Sequence, residues 1–333
     1  MMFNNLQSVG IIGTGKYLPD RIVTNKDLEK IIDTSDEWIV TRTGISERRN
    51  AEAHIATSDM SIIAAQRAIE AAGIAAEDLD LIIVATITPD MFFPSTACIV
   101  QEKIGAKNAA AFDISAACTG FIYALSVGSQ FIASGMYKYV LVIGAETLSR
   151  VLNPNDRSTF VIFGDGAGAA VLGPVENGEG FLSFDLGSDG SGGNLLYIEA
   201  GGSRLPATSE TVENGKHYLV MSGNDVFKFA VRIMGEASLK ALEKAGLEKG
   251  DVDYLVPHQA NIRIVDAAVK RLQLSPDKVY VNLDKYGNMS GASIPVALDE
   301  AVRGNKIKKG DNIVLVGFGA GLTWGSCVIR WSY

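Results

Sequence analysis

Short runs of apolar, often β-branched residues alternate along the chain with longer segments whose apolar residues recur at helical spacing. The short runs predict strands at Val9–Gly13, Leu81–Thr86, Ala110–Ile114, Val140–Gly144, Ala169–Leu172, Val252–Val256, Val279–Asn282, Ile313–Gly317 and Cys327–Arg330. Strands that are apolar throughout and are separated by helices are typical of α/β proteins with buried sheets. The pattern therefore predicts an α/β fold, in which ligand sites are expected beyond the carboxyl ends of the strands.

Two of the helical segments carry clear end signals. One begins near Ser58 or Asp59, which are good N-cap residues, and ends at Gly73. The other runs roughly over Val226–Ala245 and ends at Gly246. Glycine at these positions indicates a left-handed residue that closes the helix.

The two halves of the chain resemble each other at one constant spacing. The similar pairs of segments are 68–74 with 241–247, 78–80 with 251–253, and 140–144 with 313–317. Three separate segments rarely agree at one spacing by chance. The alternative explanation is that helices of α/β proteins resemble each other in general. We therefore expect a tandem duplication, with one half at residues 1–175 and the other at residues 176–333.

Composition and charge restrict the classes of function. The net charge of −8 argues against nucleic acid as a partner, because phosphate binding needs a basic face. The segment Met1–Val9 lacks the charged and apolar regions of a signal peptide. The apolar stretch Ala109–Gly135 is interrupted by Asp113 and Gln130, which favours a buried helix over a membrane span. Three cysteines without metal-like spacing fit free thiols in the cytoplasm.

Cys118 lies where a predicted strand ends and a strongly apolar helix begins. The first N–H groups of a helix lack partners and carry partial positive charge, so we expect a lowered thiol pKa and a nucleophilic Cys118. Its small neighbours Ala116, Ala117 and Gly120 leave room for a substrate. The other cysteines, Cys98 and Cys327, fit ordinary buried core residues, which is the usual role of a lone cysteine.

Three further loops follow predicted strands and carry polar or glycine-rich sequences. His258 follows Val256-Pro257, and Asn288 lies in Tyr286-Gly287-Asn288-Met289-Ser290-Gly291. The third loop is Gly317-Phe318-Gly319-Ala320-Gly321, where glycines let backbone N–H groups face a ligand as in an oxyanion hole. A lone histidine is more often structural, and an Asn-Gly turn is a weak signal. The duplication nevertheless predicts that all these loops meet the Cys118 loop at one end of the sheets.

In combination, these motifs strongly resemble β-ketoacyl-acyl carrier protein synthase III, the condensing enzyme family that starts type II fatty-acid synthesis. The resemblance covers essentially the whole chain, including the segments Thr34–Ile39 and Phe163–Gly168. It implies the thiolase fold, with duplicated α/β halves in a five-layer α-β-α-β-α sandwich that contains two five-stranded sheets. It also implies a homodimer, an acyl-CoA primer, malonyl-acyl carrier protein as the second substrate, and no metal or redox cofactor.

The resemblance implies a role for each site residue. Cys118 would be the acylated nucleophile, and His258 and Asn288 would donate hydrogen bonds that stabilise the enolate formed by decarboxylation. The backbone N–H groups of Cys118 and Ala320 would form the oxyanion hole. The family often has glycine at Ala320, but the donor there is the backbone.

The resemblance also implies contacts with each substrate. Trp38 would stack on the adenine of coenzyme A, with Arg157 on its other face and Arg42 near the phosphates. Asn261 and Gly223 would line the tunnel for the pantetheine arm.

Two further implied sites lie outside the tunnel. Phe93 would reach across the dimer interface to close the acyl pocket, which favours acetyl over branched primers. The residues implied in docking of acyl carrier protein are Lys228, Arg263, Lys270 and Arg271.

Three other functions remain open at this point. A starter-unit acyltransferase of polyketide or quinolone biosynthesis would carry a similar Cys, His and Asn. An enzyme like hydroxymethylglutaryl-CoA synthase would use a carboxylate base, and no Asp or Glu stands out in an equivalent motif. A non-catalytic scaffold that binds acyl-CoA would not need Cys118, His258 and Asn288.

Overall fold

A computed structural model of the protein describes residues 7–333. The expectation about a signal peptide in Met1–Val9 falls largely on residues 1–6, which lie outside the described residues. Across residues 7–333, no helix is both long enough and apolar enough to cross a bilayer. The apolar stretch Ala109–Gly135 forms a strand followed by a helix of the interior.

The strands match most of the predicted runs, although β4 and β11 are one residue shorter than predicted and several others are longer. In chain order they are β1 (Val9–Tyr17), β2 (Ile22–Thr24), β3 (Glu47–Arg49), β4 (Leu81–Ala85), β5 (Ala110–Ile114), β6 (Val140–Thr147), β7 (Asp165–Pro174), β8 (Gly180–Ser188), β9 (Leu196–Ile198), β10 (Leu219–Met221), β11 (Tyr254–Pro257), β12 (Asn312–Gly319) and β13 (Thr323–Arg330).

The helices alternate with these strands. In chain order they are α1 (Asn25–Leu28), α2 (Asp36–Thr43), α3 (Thr57–Ala72), α4 (Thr96–Ile104), α5 (Gly120–Ala133), α6 (Arg157–Phe160), α7 (Ser209–Glu213), α8 (Gly223–Ala245), α9 (Ile262–Leu272), α10 (Leu283–Tyr286) and α11 (Ser293–Arg303). The predicted ends of α3 and α8 are confirmed, because Gly73 and Gly246 close them with φ of 66° and 68°.

Two mixed sheets form the body of the protein. The first has the strand order β1-β7-β6-β4-β5, and the second has the order β8-β13-β12-β11. In both sheets the inner strands run in matching directions: β4 is parallel to β6 as β11 is to β12, and β7 and β13 are antiparallel to their neighbours. This shared order supports the proposed division into halves at residues 1–175 and 176–333.

One predicted strand of the second sheet is wrong. Instead of a strand at Val279–Asn282, the structure has a single bridge between Leu255 and Val279. The side chain of Gln259 takes the backbone groups that a ladder would use, because it donates to the Tyr280 carbonyl at 3.1 Å and accepts from Asn282 N–H at 3.1 Å. The second sheet therefore has four strands rather than five.

Helices fill the space between the sheets and cover their outer faces. The central cluster of buried side chains combines α5 and α11 with residues of both sheets. Helices α3 and α4 cover the first sheet, and α8 and α9 cover the second. The result is the five-layer α-β-α-β-α arrangement that the resemblance implies.

Glycines let the central helix α11 approach the first sheet without intervening side chains. A Cβ atom on Gly168 would lie 2.7 Å from both Pro295 Cβ and Val296 N, and one on Gly144 would overlap the Gly291 carbonyl oxygen. Real Cβ atoms do not approach so closely. The start of α11 is therefore held directly against the first sheet by backbone contact.

Candidate active site

Cys118 lies in a short 3₁₀ turn, Ala117–Thr119, between the end of β5 and the start of α5. The turn is tight, because Ala117 has φ of 47°, in the region that favours glycine. Strain of this kind persists where the surrounding structure enforces it, and it is common at functional sites. The cysteine side chain is 6% exposed and lies among residues of both halves.

The prediction that the Cys118 pKa is lowered is wrong. Burial raises the pKa of the thiol to about 12, and the negative charge of Glu146 adds to this rise. The hydroxyl of Ser290 acts in the opposite direction. Since the thiol is protonated at neutral pH, a nucleophilic Cys118 needs a group that accepts its proton.

His258 follows β11 and is completely buried. Its backbone N–H donates to the Val316 carbonyl at 2.7 Å, and its ring packs edge-on to Phe318 with centroids 5.5 Å apart. Nδ1 lies 2.6 Å from Ser293 Oγ, while Nε2 is buried without a hydrogen-bond partner among the described residues. Burial lowers the pKa of His258 to about 3, so the imidazole is neutral.

Ser293 can hold His258 in either neutral tautomer. In one, Ser293 Oγ accepts from Nδ1–H and donates to the Ser290 carbonyl, which lies 3.0 Å away. In the other, Ser293 donates to a bare Nδ1, and Nε2–H becomes a donor toward the substrate. The role as hydrogen-bond donor that the resemblance implies for His258 requires the second arrangement.

Asn288 lies in the loop before α11, and three hydrogen bonds fix its position. Its backbone N–H donates to the Ile162 carbonyl at 2.9 Å, and its own carbonyl accepts from Gly164 N–H at 3.0 Å. Its side-chain Oδ1 accepts from Ser290 N–H at 2.8 Å. With Oδ1 oriented by the backbone, the amide Nδ2 is the group that Asn288 has to offer as a donor.

The end of β12 passes very close to the Cys118 backbone. A Cβ atom on Gly319 would lie 2.7 Å from the Cys118 nitrogen, so glycine is required for this approach. Ala320 follows directly and is half-buried. The structure thus brings the two backbone segments proposed for the oxyanion hole, those of Cys118 and Ala320, next to each other.

A cavity of about 410 Å³ joins these groups to the surface. Its buried end is formed by Cys118, His258 and Asn288, with Phe318 and Gly319. Other predicted site residues line the same cavity closer to the surface: Trp38, Arg42, Gly223, Asn261 and Arg263. Residues predicted from four separate loops therefore share one cavity.

Two guanidinium groups lie over the indole ring of Trp38. The Arg42 and Arg157 Cζ atoms lie 4.6 Å and 4.7 Å from the centroid of its ring, within cation–π distance. Arg157 also donates to the Asp33 carbonyl at 2.8 Å. Because both arginines lie over the indole, an adenine stacked on Trp38 would replace one of them.

The other residues predicted to contact the substrates lie in several different places. Asn261 uses its side chain to cap α9, where Oδ1 accepts from Arg263 N–H at 2.9 Å, and to donate to the Arg42 carbonyl at 2.9 Å. Lys228 is exposed and lies 3.7 Å from Asp225. Lys270 and Arg271 line a separate surface groove that also includes Arg232 and Lys249.

Phe93 does not line the cavity of Cys118 in this chain. It is 85% exposed, and its neighbours Met91 and Phe92 are 49% and 81% exposed. Met91 and Phe92 line a different surface cavity. An acyl-pocket role for Phe93 therefore depends on a second copy of the chain.

Sequence reasoning missed three polar residues of the site and misplaced one cysteine. Glu146, Ser290 and Ser293 are all buried around Cys118 and His258. Glu146 stands two residues beyond the predicted strand Val140–Gly144, and this position was the available signal for a carboxylate near the site. Cys98, expected in the core, is exposed, and its Sγ lies 3.7 Å from the Ala111 carbonyl oxygen in β5, the edge strand of the first sheet.

Within residues 7–333, no cluster of three or more His, Cys, Asp or Glu side chains is arranged to hold a metal ion. The polar side chains at the buried end of the cavity are a thiol, an imidazole and an amide. This set suits nucleophilic attack and hydrogen bonding to a developing oxyanion.

Comparison with known protein families gives two consistent matches. Residues 112–190 match the family model described as "3-Oxoacyl-[acyl-carrier-protein (ACP)] synthase III". Residues 242–331 match the model of the C-terminal region of the same family. A β-ketoacyl-[acyl-carrier-protein] synthase III of Clostridioides difficile (strain 630) is 64% identical over 323 residues, which are 97% of this chain and 98% of the relative.

Solved structures show the same likeness. A 3-oxoacyl-[acyl-carrier-protein] synthase III from Aquifex aeolicus VF5 has a TM-score of 0.90 and 49% identity, and the match covers 97% of this chain and 100% of that one. The priming β-ketosynthase from the R1128 polyketide biosynthetic pathway has a TM-score of 0.92 and 38% identity, over 100% of this chain and 98% of that one.

Proposed function

The chain belongs to the β-ketoacyl-[acyl-carrier-protein] synthase III family of condensing enzymes, and we propose that it joins an acyl-CoA primer, acetyl-CoA above all, to malonyl-acyl carrier protein. The products are a 3-oxoacyl-acyl carrier protein, coenzyme A and carbon dioxide, so the reaction initiates fatty-acid synthesis. The observation that carries the proposal is the single cavity whose buried end holds Cys118, His258 and Asn288. The reaction uses no metal or redox cofactor, and the enzyme works in the cytoplasm.

The first half-reaction is acyl transfer to Cys118. The thiolate attacks the thioester carbon of the primer, and the backbone N–H groups of Cys118 and Ala320 stabilise the oxyanion of the tetrahedral intermediate. Coenzyme A then leaves past Trp38 and Arg42. The close approach of Gly319 to the Cys118 nitrogen supports this arrangement of donors.

The second half-reaction is decarboxylation followed by condensation. The Asn288 amide and His258 Nε2–H donate hydrogen bonds to the thioester oxygen of malonyl-acyl carrier protein, which stabilises the enolate left by carbon dioxide. The enolate carbon attacks the acyl group on Cys118, and the cysteine thiolate departs. The neutral state of the buried His258 and the fixed Oδ1 of Asn288 support these roles.

A single assay separates this function from the alternatives: release of labelled carbon dioxide from malonyl-acyl carrier protein, with and without acetyl-CoA. Release that depends on acetyl-CoA is the expected result, whereas a non-catalytic scaffold would release none. A starter-unit enzyme of a polyketide pathway would instead respond best to another primer. The identity of 64% with the clostridial synthase, against 38% with the polyketide enzyme, favours fatty-acid synthesis.

The exposed apolar loop Met91–Phe93 supports a homodimer. Three large apolar side chains, each about half or more exposed, stand together on the surface. Clustered exposed apolar side chains of this kind mark a protein interface more often than open surface. We propose that a second copy covers this loop and that Phe93 closes the acyl pocket of the partner.

This arrangement predicts a preference for a short straight primer. A rigid ring at the end of the pocket leaves little room for a branched chain, and an apolar pocket distinguishes one methylene by about 1–3 kcal/mol. We expect kcat/KM for acetyl-CoA to exceed that for isobutyryl-CoA by about 10- to 200-fold. Phe93→Ala should reduce this ratio, as measured by initial rates with each primer.

The neighbouring residue supplies the control for this prediction. Phe92 is equally exposed in the chain, so Phe92→Ala removes a similar apolar ring one position away. The ratio of the two primers should change much less in this variant. Equal use of both primers by the unaltered enzyme would contradict the prediction, as would a ratio that Phe93→Ala leaves unchanged.

Docking of the acidic carrier protein is expected to depend on the exposed basic residues of α8 and α9, despite the net charge of −8. Opposite charges accelerate association, and this effect weakens with salt. Lys270→Glu should raise KM for malonyl-acyl carrier protein by about tenfold at low salt. Acylation by acetyl-CoA should hardly change, because Lys270 does not line the cavity of Cys118.

Reversals of Lys228 and Arg263 should act in the same direction. Arg263 also lines the cavity and stacks on Phe227 at 5.0 Å, so its reversal tests docking less cleanly. Lys308→Glu, at an exposed position outside this surface, serves as the control with the same change in charge. Unchanged carrier kinetics in the Lys228, Arg263 and Lys270 reversals would rule out the proposed patch.

A further inference from the structure

Glu146 is a fully buried carboxylate at the carboxyl end of β6. It accepts hydrogen bonds from Thr88 Oγ1 at 2.6 Å, from Thr86 Oγ1 and Ile87 N–H at 3.2 Å, and from Ser290 Oγ at 3.1 Å. None of the ion pairs formed within residues 7–333 involves it. A buried carboxylate without a cation is costly to maintain, which indicates a role beyond packing.

Ser290 lies between this carboxylate and the nucleophile. Its hydroxyl donates to Glu146 Oε1 at 3.1 Å, and the same hydroxyl lowers the pKa of the Cys118 thiol. Ser290 has φ of 46°, so this turn, like the one at Ala117, is held in an unfavourable backbone conformation. The Glu146 Oε1 atom and the Ala117 carbonyl oxygen both lie about 3.5 Å from the place that a Cβ on Gly291 would occupy. The Glu146 carboxylate, the Ser290 turn and the Cys118 turn therefore lie next to one another in that order.

The proposed reaction needs a group that accepts the proton of Cys118. Burial raises the pKa of Cys118 to about 12, so its proton must be removed before attack. His258 is poorly suited to accept it, because its pKa is lowered to about 3 and its Nε2–H is needed as a donor in the second half-reaction. Burial raises the pKa of Glu146 to about 7, which gives the carboxylate a much higher proton affinity than the imidazole.

We propose that Glu146 accepts the proton of Cys118 through the hydroxyl of Ser290. As the thiolate forms, Sγ–H breaks, Ser290 Oγ gains that proton, and the hydroxyl proton of Ser290 passes to Glu146 Oε1. Thiol and carboxylate thereby become thiolate and carboxylic acid, with no net change of charge. When condensation expels Cys118 as a thiolate, the transfer runs in reverse, and the coenzyme A thiolate released earlier takes its proton from water.

This proton transfer from Cys118 through Ser290 to Glu146, the relay, should make acylation depend on pH. Glu146 can accept a proton only when it is ionised, so acylation should slow as the pH falls below about 7. This decrease is the acid limb of the pH–rate profile. The groups that face the carboxylate are the hydroxyls of Thr86, Thr88 and Ser290 and one backbone amide, and Cys118 is the titratable neighbour. Because the thiol stays protonated up to about pH 12, its own titration does not obscure this limb.

The test is single-turnover acylation of Cys118 by acetyl-CoA, followed by intact mass between pH 5.5 and pH 8.5, the range of about 1.5 pH units on either side of the Glu146 pKa. Glu146→Gln keeps the shape and most hydrogen bonds but cannot take the proton. We expect acylation about 10²-fold slower at pH 8, with the limb near pH 7 abolished. Ser290→Ala breaks the relay at its middle and should remove the same limb.

Asp165→Asn is the matched control, since Asp165 is also buried with a raised pKa and is held by a serine hydroxyl and a backbone N–H.

The inference rests on the proposed function, and the assay distinguishes the two. Absence of acylation in the unaltered enzyme would reject the function itself. Normal acylation with an unchanged pH profile in Glu146→Gln would reject only the relay. If Glu146→Gln does not fold, Ser290→Ala decides, because retention of the limb near pH 7 in that variant would overturn the relay. Loss of the limb in Asp165→Asn as well would assign it to general destabilisation and would equally overturn the proposal.

Discussion

Cys118→Ser is expected to lose acylation by acetyl-CoA almost completely, by about 10⁴-fold or more, since removal of a nucleophile costs more than loss of any single supporting group. A serine hydroxyl ionises far less readily than a thiol, and burial works against the ionised form of either. Intact mass after incubation with acetyl-CoA should show one added acetyl group on the unaltered chain and none on the variant.

The other cysteines provide the control for this measurement. Cys98 is exposed and lies outside the cavity, so Cys98→Ser should be acylated at the rate of the unaltered protein. Cys327 is buried in β13 and is a poorer choice, because its replacement would disturb the core. Acylation of Cys118→Ser with unaltered rate and stoichiometry would show that the nucleophile lies elsewhere.

His258→Ala and Asn288→Ala are expected to separate the two half-reactions. Each removes one proposed donor to the enolate oxygen, so decarboxylation of malonyl-acyl carrier protein should fall by about 10²- to 10³-fold. Acylation of Cys118 should suffer less, because the oxyanion hole proposed for that step consists of backbone N–H groups, which these substitutions leave in place. Carbon dioxide release and acyl-enzyme formation, measured on the same preparations, report the two steps separately.

A histidine outside the site supplies the comparison. His54 lies in an exposed loop, and His54→Ala should leave both steps unchanged. Equal and severe loss of acylation in the His258 and Asn288 variants would contradict the proposed division of roles. It would also point to His258, rather than to Glu146 through Ser290, as the group that accepts the thiol proton.

The sequence was sufficient for much of the fold and for the residues that meet at the buried end of the cavity. Uniformly apolar strands and the glycine ends of α3 and α8 are local signals, so the periodicity of the chain reveals them. The strand β8 was missed because Gly180–Ser188 is mostly half-buried, with polar and glycine residues among its apolar ones. Val279–Asn282 has the composition of a strand, but a side chain from a distant loop, that of Gln259, takes its backbone partners.

Electrostatic properties were less accessible from the sequence. The position of Cys118 before α5 favours a lowered pKa, but the depth of burial, which the sequence does not give, outweighs that effect. Glu146 and Ser290 are 144 residues apart in sequence, and only the folded structure brings their oxygens to 3.1 Å. The tunnel contacts and the docking surface were transferred by resemblance and remain proposals.

The shared cavity has a consequence for the order of events during turnover. Cys118, His258 and Asn288 all face the same space of about 410 Å³, and α11 is held against the first sheet by backbone contact, which leaves little scope for the halves to part. Under the proposed function, the pantetheine arms of coenzyme A and of the carrier protein would therefore use this space in succession. The enzyme would then follow ping-pong kinetics, and free coenzyme A would compete with the carrier-linked substrate for the acylated form. The rate of fatty-acid initiation would then respond to the cellular ratio of acetyl-CoA to free coenzyme A without any separate regulatory site.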